Sequence, residues 1–177
     1  VELVAQLLDE AQVPAVIDPV MVAKGGAALL ARAAVAAMRD LLIPRAALLT
    51  PNAPEAEALT GLAVTTTDDL RRAGEALLAA GARAVLMKGG HVPGDRVVDL
   101  LMTPDGETAF EGERIESRHT HGTGCTLASA CAAGLAQGLP LTEAVARAWD
   151  YVHEAILRAP GFGAGHGPLD HGWPLRG

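Results

Sequence analysis

The sequence predicts an α/β fold, with a mainly parallel central sheet covered by helices on both faces and a hairpin at one edge. Short apolar runs of strand type alternate with longer helical patterns along most of the chain, and strands separated in this way imply right-handed βαβ units. Residues 95–115 break the rhythm, because two extended runs there flank Pro104-Asp105-Gly106, a hairpin signal. The chain has 177 residues, half of them hydrophobic, which is enough for one domain to bury a sizeable core.

Residues 1–12 have the amphipathic pattern of a helix, and AVIDPV (15–20) reads as a short buried strand. ALLARAAVAAMRDLL (28–42) is a helix that must end before Pro44, whose ring removes a donor and clashes with the preceding turn. ALLT (47–50) is a strand running into PNAPEAEALTG, where Asn52 can cap a short helix that stops at Gly61. Residues 66–81 form an amphipathic helix with acidic residues in its first turn and Gly81 after its last; AVLMKGG (84–90) is a strand entering a glycine turn. Residues 123–138 and 141–158 close the chain as two helices joined at Gly138-Leu139-Pro140, followed by a Gly/His/Pro-rich tail.

Composition excludes several classes of partner. The formal charge of −7, without any Lys/Arg block, argues against a nucleic-acid or anionic-membrane surface. No apolar run reaches membrane-spanning length, and the opening VELVAQLLDEAQ lacks a basic flank or cleavage site, so a cytoplasmic protein is expected. Cys125 and Cys131 lie six apart in one predicted helix, on different faces, which disfavours a disulfide; neither has a zinc-type spacing.

Ligands of open α/β sheets bind beyond the carboxyl ends of the strands. The segments there are DPVMVAKGG, TPNAPE, KGGH and, after the hairpin, THGTGC, which together make one candidate rim. In THGTGC, Gly122 and Gly124 let the backbone approach a ligand, and the helix that follows offers unpaired N–H groups and a positive dipole end, an anion cradle. A thiol at that joint, Cys125, can act as proton acceptor or nucleophile; equally, Gly-Thr-Gly is a common cap and a cysteine among small residues is often packing. Cys131, among alanines, reads as core. His119, His121, His166 and His171 lack the paired helical spacing of a metal site. GFGAGHG (161–167) follows a helix rather than a strand and is rejected as a nucleotide fingerprint, and no GxxxxGK[ST] occurs.

DPVMVAKGG, LLTPNAPEAEAL, AVLMKGGH, THGTGCTLASA and GHGPLDH, in this order and spacing, resemble the hydroxymethylpyrimidine and phosphomethylpyrimidine kinases of thiamine biosynthesis. The resemblance covers nearly the whole chain. It implies a ribokinase-like three-layer α/β/α fold, with residues 1–177 as the C-terminal portion of a single kinase domain. It also implies transfer of the ATP γ-phosphate to the hydroxymethyl group of 4-amino-5-hydroxymethyl-2-methylpyrimidine and then to its monophosphate, with ATP and Mg²⁺ as cofactors and a homodimeric assembly. By the same resemblance, Gly122, Thr123, Gly124 and Cys125 cradle the transferred group, and Lys88, Asn52 and Thr120 serve the nucleotide. Glu55, in the NxxE element with Asn52, and Asp18 would share the magnesium shell, and Val20 would contact the pyrimidine ring. Taken alone, Asn52 and Glu55 could be a helix cap and a first-turn acid, Asp18 a turn former before Pro19, Lys88 a solvated lysine and Val20 core.

A thiol at position 125 suits a kinase that acts twice. The first step deprotonates a hydroxyl and profits from a base; the second attacks with an oxygen already anionic, which a carboxylate at this position would repel. Departures from the family are His119, where asparagine is usual, Trp149, where relatives often carry lysine, and the N-terminal segment with its glycine-rich substrate loop, which this sequence does not contain. Loss of early strands is expected to leave an apolar sheet edge, and the apolar helices 28–42 and 123–138 to promote self-association. A vitamin B6 kinase of the same branch and a non-catalytic nucleotide-binding remnant are the alternative readings.

Overall fold

The computed structural model describes residues 1–21 and 32–176, in two compact units, Val1–Glu113 and Arg114–Gly177. The VAKGG part of DPVMVAKGG and residues 28–31 of the expected helix lie outside the described residues.

In the first unit a five-stranded sheet runs in the order β1 (Ala15–Ile17), β2 (Ala46–Leu49), β3 (Val85–Met87), β4 (Arg96–Thr103), β5 (Gly106–Glu113). The α/β class is as expected, and the sheet is mixed: β1, β2 and β3 are parallel, while β3–β4 and β4–β5 are antiparallel. The hairpin lies at the edge, as Pro104-Asp105 suggested. Thr103 pairs with Gly106, whose φ of 151° no side-chain-bearing residue adopts readily, so two residues close the turn. β5 carries Glu107, Glu111 and Glu113 on its outward strand, charges that discourage strand addition at this edge.

The other edge is β1, which is half-buried rather than buried. AVIDPV was expected as a buried strand on composition alone; its position at the end of the sheet accounts for the difference. Leu49, Val85, Met87, Leu100 and Met102 form one face of the sheet and pack with Leu70, Ala73 and Leu77 of α4 (Thr67–Ala79). α4 lies very close to β4, since a Cβ on Gly74 would stand 2.3 Å from the Met102 sulfur. Its N-terminus is fixed by a capping box between Thr66 and Asp69.

α1 (Glu2–Ala11) buries Ala5 and exposes Leu3, Val4 and Leu7. A bidentate pair from Arg45 to Asp9, at 2.7 Å for both bonds, anchors its end. α2 (Arg32–Ala37) widens into a π-turn over Met38–Leu42 and then tightens into a 3₁₀ turn, Ile43–Arg45, around Pro44. The helix thus stops where the proline demanded. Met38 and Leu42 are buried within this unit's core, whereas Leu3, Val4 and Leu7 of α1 are exposed, as are Val13, Val20 and Leu62.

The second unit is built on α5 (Thr123–Ala136) against α6 (Leu141–Leu157). Leu127, Ala128, Cys131 and Gly134 of α5 are buried, as are Ala144, Val145, Ala148, Val152 and Ala155 of α6. Burial pushes the Cys131 thiol up to about 11, in keeping with a core role, and both cysteines are free. Among the described residues, no helix is long and apolar enough to cross a membrane.

The helix pair closes at Gly134, where an added Cβ would be 2.8 Å from the Cβ of Ala144. Gly134→Val should therefore force α5 and α6 apart and destabilise the protein by about 1–3 kcal/mol. Thermal denaturation followed by circular dichroism checks this; an unchanged midpoint would show that the pair can part without loss.

Candidate active site

Three strand ends of the first unit bring charged groups together. Asp18 follows β1, Thr50 and Asn52 follow β2, and Lys88 follows β3, all at carboxyl ends of parallel strands. The backbone ties them in succession. The Thr50 amide donates to the Ile17 carbonyl at 3.0 Å, and the Lys88 amide to the Pro51 carbonyl at 2.9 Å. A bridge then pairs Asn52 with Lys88.

On that frame the Lys88 ammonium donates to Asp18 Oδ1 at 2.8 Å and lies 3.8 Å from Glu55 Oε2. The side chains of Lys88 and Asp18 are each 12% exposed and that of Glu55 7%, so the charges interact largely out of water. Thr50, fully buried, donates its hydroxyl to the same Asp18 oxygen at 3.0 Å. Glu55 stands in the first turn of α3 (Ala53–Thr60). Its carboxylate accepts from the Asn52 amide at 2.8 Å while Asn52 Oδ1 accepts from the Glu55 amide at 3.0 Å. This capping box, with Gly61 in the left-handed region at φ 76°, fulfils both expectations for this helix. Burial raises the Glu55 carboxyl above its ordinary 4.5, against the opposing pull of Lys88. Two carboxylates against one ammonium leave the cluster one negative charge in excess.

Val20 lies on the turn after Asp18, its amide bonded to the Asp18 carbonyl at 2.9 Å, and is 37% exposed rather than packed in the core.

In the second unit, Gly122 is the N-cap of α5 at φ 85°, a conformation that favours glycine. Thr126 returns to it twice, through its amide at 2.9 Å and its hydroxyl at 2.8 Å, and the Thr123 hydroxyl donates to the Thr120 carbonyl at 2.9 Å. The first turn of α5 carries no acidic side chain, so nothing on the helix competes with an anion at its amides. Cys125 is exposed and opens on a groove of about 580 Å³ between α5 and α6, lined also by Thr126, Ser129, Arg147, Tyr151 and His171.

The tail after α6 folds back onto the segment that leads into this turn. The His121 amide donates to the Gly167 carbonyl at 3.2 Å, and His121 pairs with Pro168. His119 lies against Gly167, where an added Cβ would be 2.2 Å from its Nδ1, so GFGAGHG serves here as a clasp. Trp149 stacks on His153 with ring centroids 5.3 Å apart.

Asp18, Asn52, Glu55 and Lys88 are thus brought together in one unit, and Thr120, Gly122, Thr123, Gly124 and Cys125 form a second group in the other. Two contributors escaped sequence reasoning. Thr50 had no signal beyond its place at a strand end. Asp99, buried in β4, accepts from the Gly89 amide at 2.7 Å; a carboxylate inside the apolar run VVDLLM was a visible signal.

Residues 1–170 match the sequence model of the family described as phosphomethylpyrimidine kinase. The hydroxymethylpyrimidine/phosphomethylpyrimidine kinase of Streptomyces coelicolor is 51% identical over 175 residues, which are 99% of this chain and 65% of that protein. Among solved structures, the ADP complex of Bacillus subtilis pyridoxal kinase superposes with a TM-score of 0.90 at 36% identity, over 99% of this chain and 66% of that one. The phosphomethylpyrimidine kinase of Clostridium difficile gives a TM-score of 0.74 at 39% identity, over 86% of this chain and 62% of that one. The chain therefore spans about two thirds of the length of these relatives. The match over residues 1–170, together with this identity and this fold, means that the chain belongs to the phosphomethylpyrimidine kinase family.

Proposed function

We propose that the protein transfers the γ-phosphate of ATP to the hydroxymethyl group of 4-amino-5-hydroxymethyl-2-methylpyrimidine, and then a further phosphate to the monophosphate, in thiamine diphosphate biosynthesis. The observation that carries this reading is the buried Asp18–Lys88–Glu55 cluster at the ends of three parallel strands, in a chain of this family. The printed names of the relatives and the ADP held by the Bacillus subtilis neighbour support it. Phosphoryl transfer needs positioning and charge neutralisation more than covalent chemistry, and those are what such a cluster supplies.

Lys88 serves the phosphates: an ammonium has three donors, and Asp18 takes one. Asn52 orders Glu55 for the nucleotide side of the site, and Thr120 anchors the turn that receives the phosphates. Asp18 and Glu55 are hard oxygen donors already gathered around one cationic group, a set that suits Mg²⁺. When bound, that ion neutralises charge on the phosphates. The amides of Gly122, Thr123, Gly124 and Cys125 face the transferred group at the positive end of α5, and the Cys125 thiol accepts the hydroxyl proton in the first step. Val20 contacts the pyrimidine ring.

A second reading, a vitamin B6 kinase, is favoured by the TM-score of 0.90 to pyridoxal kinase. The 51% identity to the pyrimidine kinase and the ending GHGPLDH favour the first, and assaying both acceptors with the same preparation separates them. The protein acts on small molecules rather than nucleic acid or membranes, consistent with its charge of −7, and its free thiols suit the cytoplasm. Leu3, Val4 and Leu7, exposed on α1, are the surface proposed for a homodimer.

Lys88→Gln keeps a donor for Asp18 but removes the charge, so ATP affinity measured by calorimetry should fall by about 1–3 kcal/mol. Unchanged affinity in the folded variant removes Lys88 from the phosphate site.

The raised Glu55 carboxyl gives a pH signature. Its charged form is present above the shifted value and is lost as pH falls through it, so Mg²⁺ binding should weaken at a higher pH than an ordinary carboxylate, near 4.5, would allow. Magnesium titrations at stepped pH should show this in the wild type and a flatter profile in Glu55→Gln. Identical profiles would place the ion elsewhere.

Cys125→Ala removes the base and leaves the backbone cradle, so the first phosphorylation should slow roughly 10²–10⁴-fold and the second much less. Cys125→Asp should keep part of the first step and lose most of the second, since two like charges about 4 Å apart repel by roughly 4 kcal/mol at an effective dielectric near 20. Equal slowing of both steps by alanine would show that the thiol serves packing or cradle shape.

A further inference from the structure

We propose that Asp99 is a positioning residue for Lys88, acting from the hairpin through the glycine turn; this rests on the reading of Lys88 as a phosphate-binding group. In the β3–β4 ladder Val85 pairs with Met102, Leu86 with Leu101 and Met87 with Leu100. One further step along that register sets Asp99 opposite Lys88, where β3 has ended. The Asp99 carboxylate accepts from the Gly89 amide at 2.7 Å.

The turn is pressed onto the same strand. A Cβ on Gly89 would stand 2.0 Å from the Val98 carbonyl oxygen, so the chain passes β4 at a distance that only glycine permits. On the opposite side the Lys88 amide is bonded to the Pro51 carbonyl and Lys88 is bridged to Asn52. Lys88 is therefore gripped from two sides. The strand-end side fixes its own amide, and Asp99 fixes the amide of the next residue.

The Asp99 carboxylate is buried, and its short bond to the Gly89 amide fixes the direction of that amide. The strength of that bond is what charge assistance provides. The backbone direction at Gly89 sets where the Lys88 side chain leaves β3. Without Asp99 the turn could rotate, and the ammonium would no longer be delivered to the position shared by Asp18 and Glu55.

Calorimetric titration of ATP·Mg²⁺ into the 177-residue chain tests this with Asp99→Leu, Asp99→Asn, Lys88→Gln and the corresponding double variants, each checked for folding by thermal melting. Asp99→Leu should weaken binding about tenfold and Asp99→Asn about threefold, since asparagine keeps an acceptor but not its charge. In the Lys88→Gln background neither change should weaken it further, a non-additivity that general loosening of the fold does not produce. Hydrogen exchange should accelerate at the Gly89 amide in both Asp99 variants and stay slow at Leu86. Should Asp99→Leu fail to fold, the asparagine variant decides alone: faster Gly89 exchange with wild-type affinity, or an equal loss in the Lys88→Gln background, overturns the proposal. Lys88→Gln binding as the wild type does, or a wild type that does not bind ATP, removes the underlying reading and this proposal with it. Loss in Lys88→Gln with none in Asp99→Leu overturns the proposal alone.

Discussion

The ion pair between Lys88 and Asp18 organises the first unit's site. A lysine held at 12% exposure needs a counter-charge, and a carboxylate equally buried needs a cation; each makes the other tolerable. Because one follows β3 and the other β1, the pair draws the ends of two strands toward the one between them, and the hydroxyl of Thr50 from β2 completes the arrangement. Glu55 joins through the helix that β2 feeds. The order of the strands is thereby converted into an order of charges.

That arrangement depends on rigid support, and glycine at selected points supplies it. Gly74 lets α4 descend onto Met102, and Gly89 lets the strand end pass the backbone of β4. In the other unit Gly134 brings α5 against α6, and Gly122 turns the chain into α5. In three of these four places a side chain would collide with a neighbour, and at Gly122 the backbone itself is the constraint. Close packing at three of these glycines and a left-handed turn at the fourth thus support the two units.

Most of the fold was legible because its signals are local. Pro44 stops a helix, Asn52 and Glu55 start one, and Pro104-Asp105-Gly106 closes a hairpin; each acts within a few residues. The candidate site was legible where ordered motifs fell at strand ends, which named Asp18, Asn52, Glu55 and Lys88 before their side chains were seen to converge. What escaped were properties of tertiary pairing. The half-buried state of β1 follows from strand order, which no run of residues encodes, and the balance of parallel and antiparallel ladders follows from where the hairpin joins. Thr50 and Asp99 act through partners 32 and 10 residues away, so their roles depend on which strands become neighbours. The burial of Met38 and Leu42 in one unit and of Leu127 and Cys131 in the other likewise depends on packing partners that composition does not name.

α5 carries two sulfurs of opposite character. Cys131 is sealed in the helix pair and held as a neutral thiol by burial, whereas Cys125 stands exposed at the head of the same helix. Electrophiles and oxidants react with thiolates they can reach, so the helix offers them one address and hides the other. A label attached to this protein under mild conditions would therefore report from a single known place, the mouth of the glycine turn, without mutagenesis to remove a competing site.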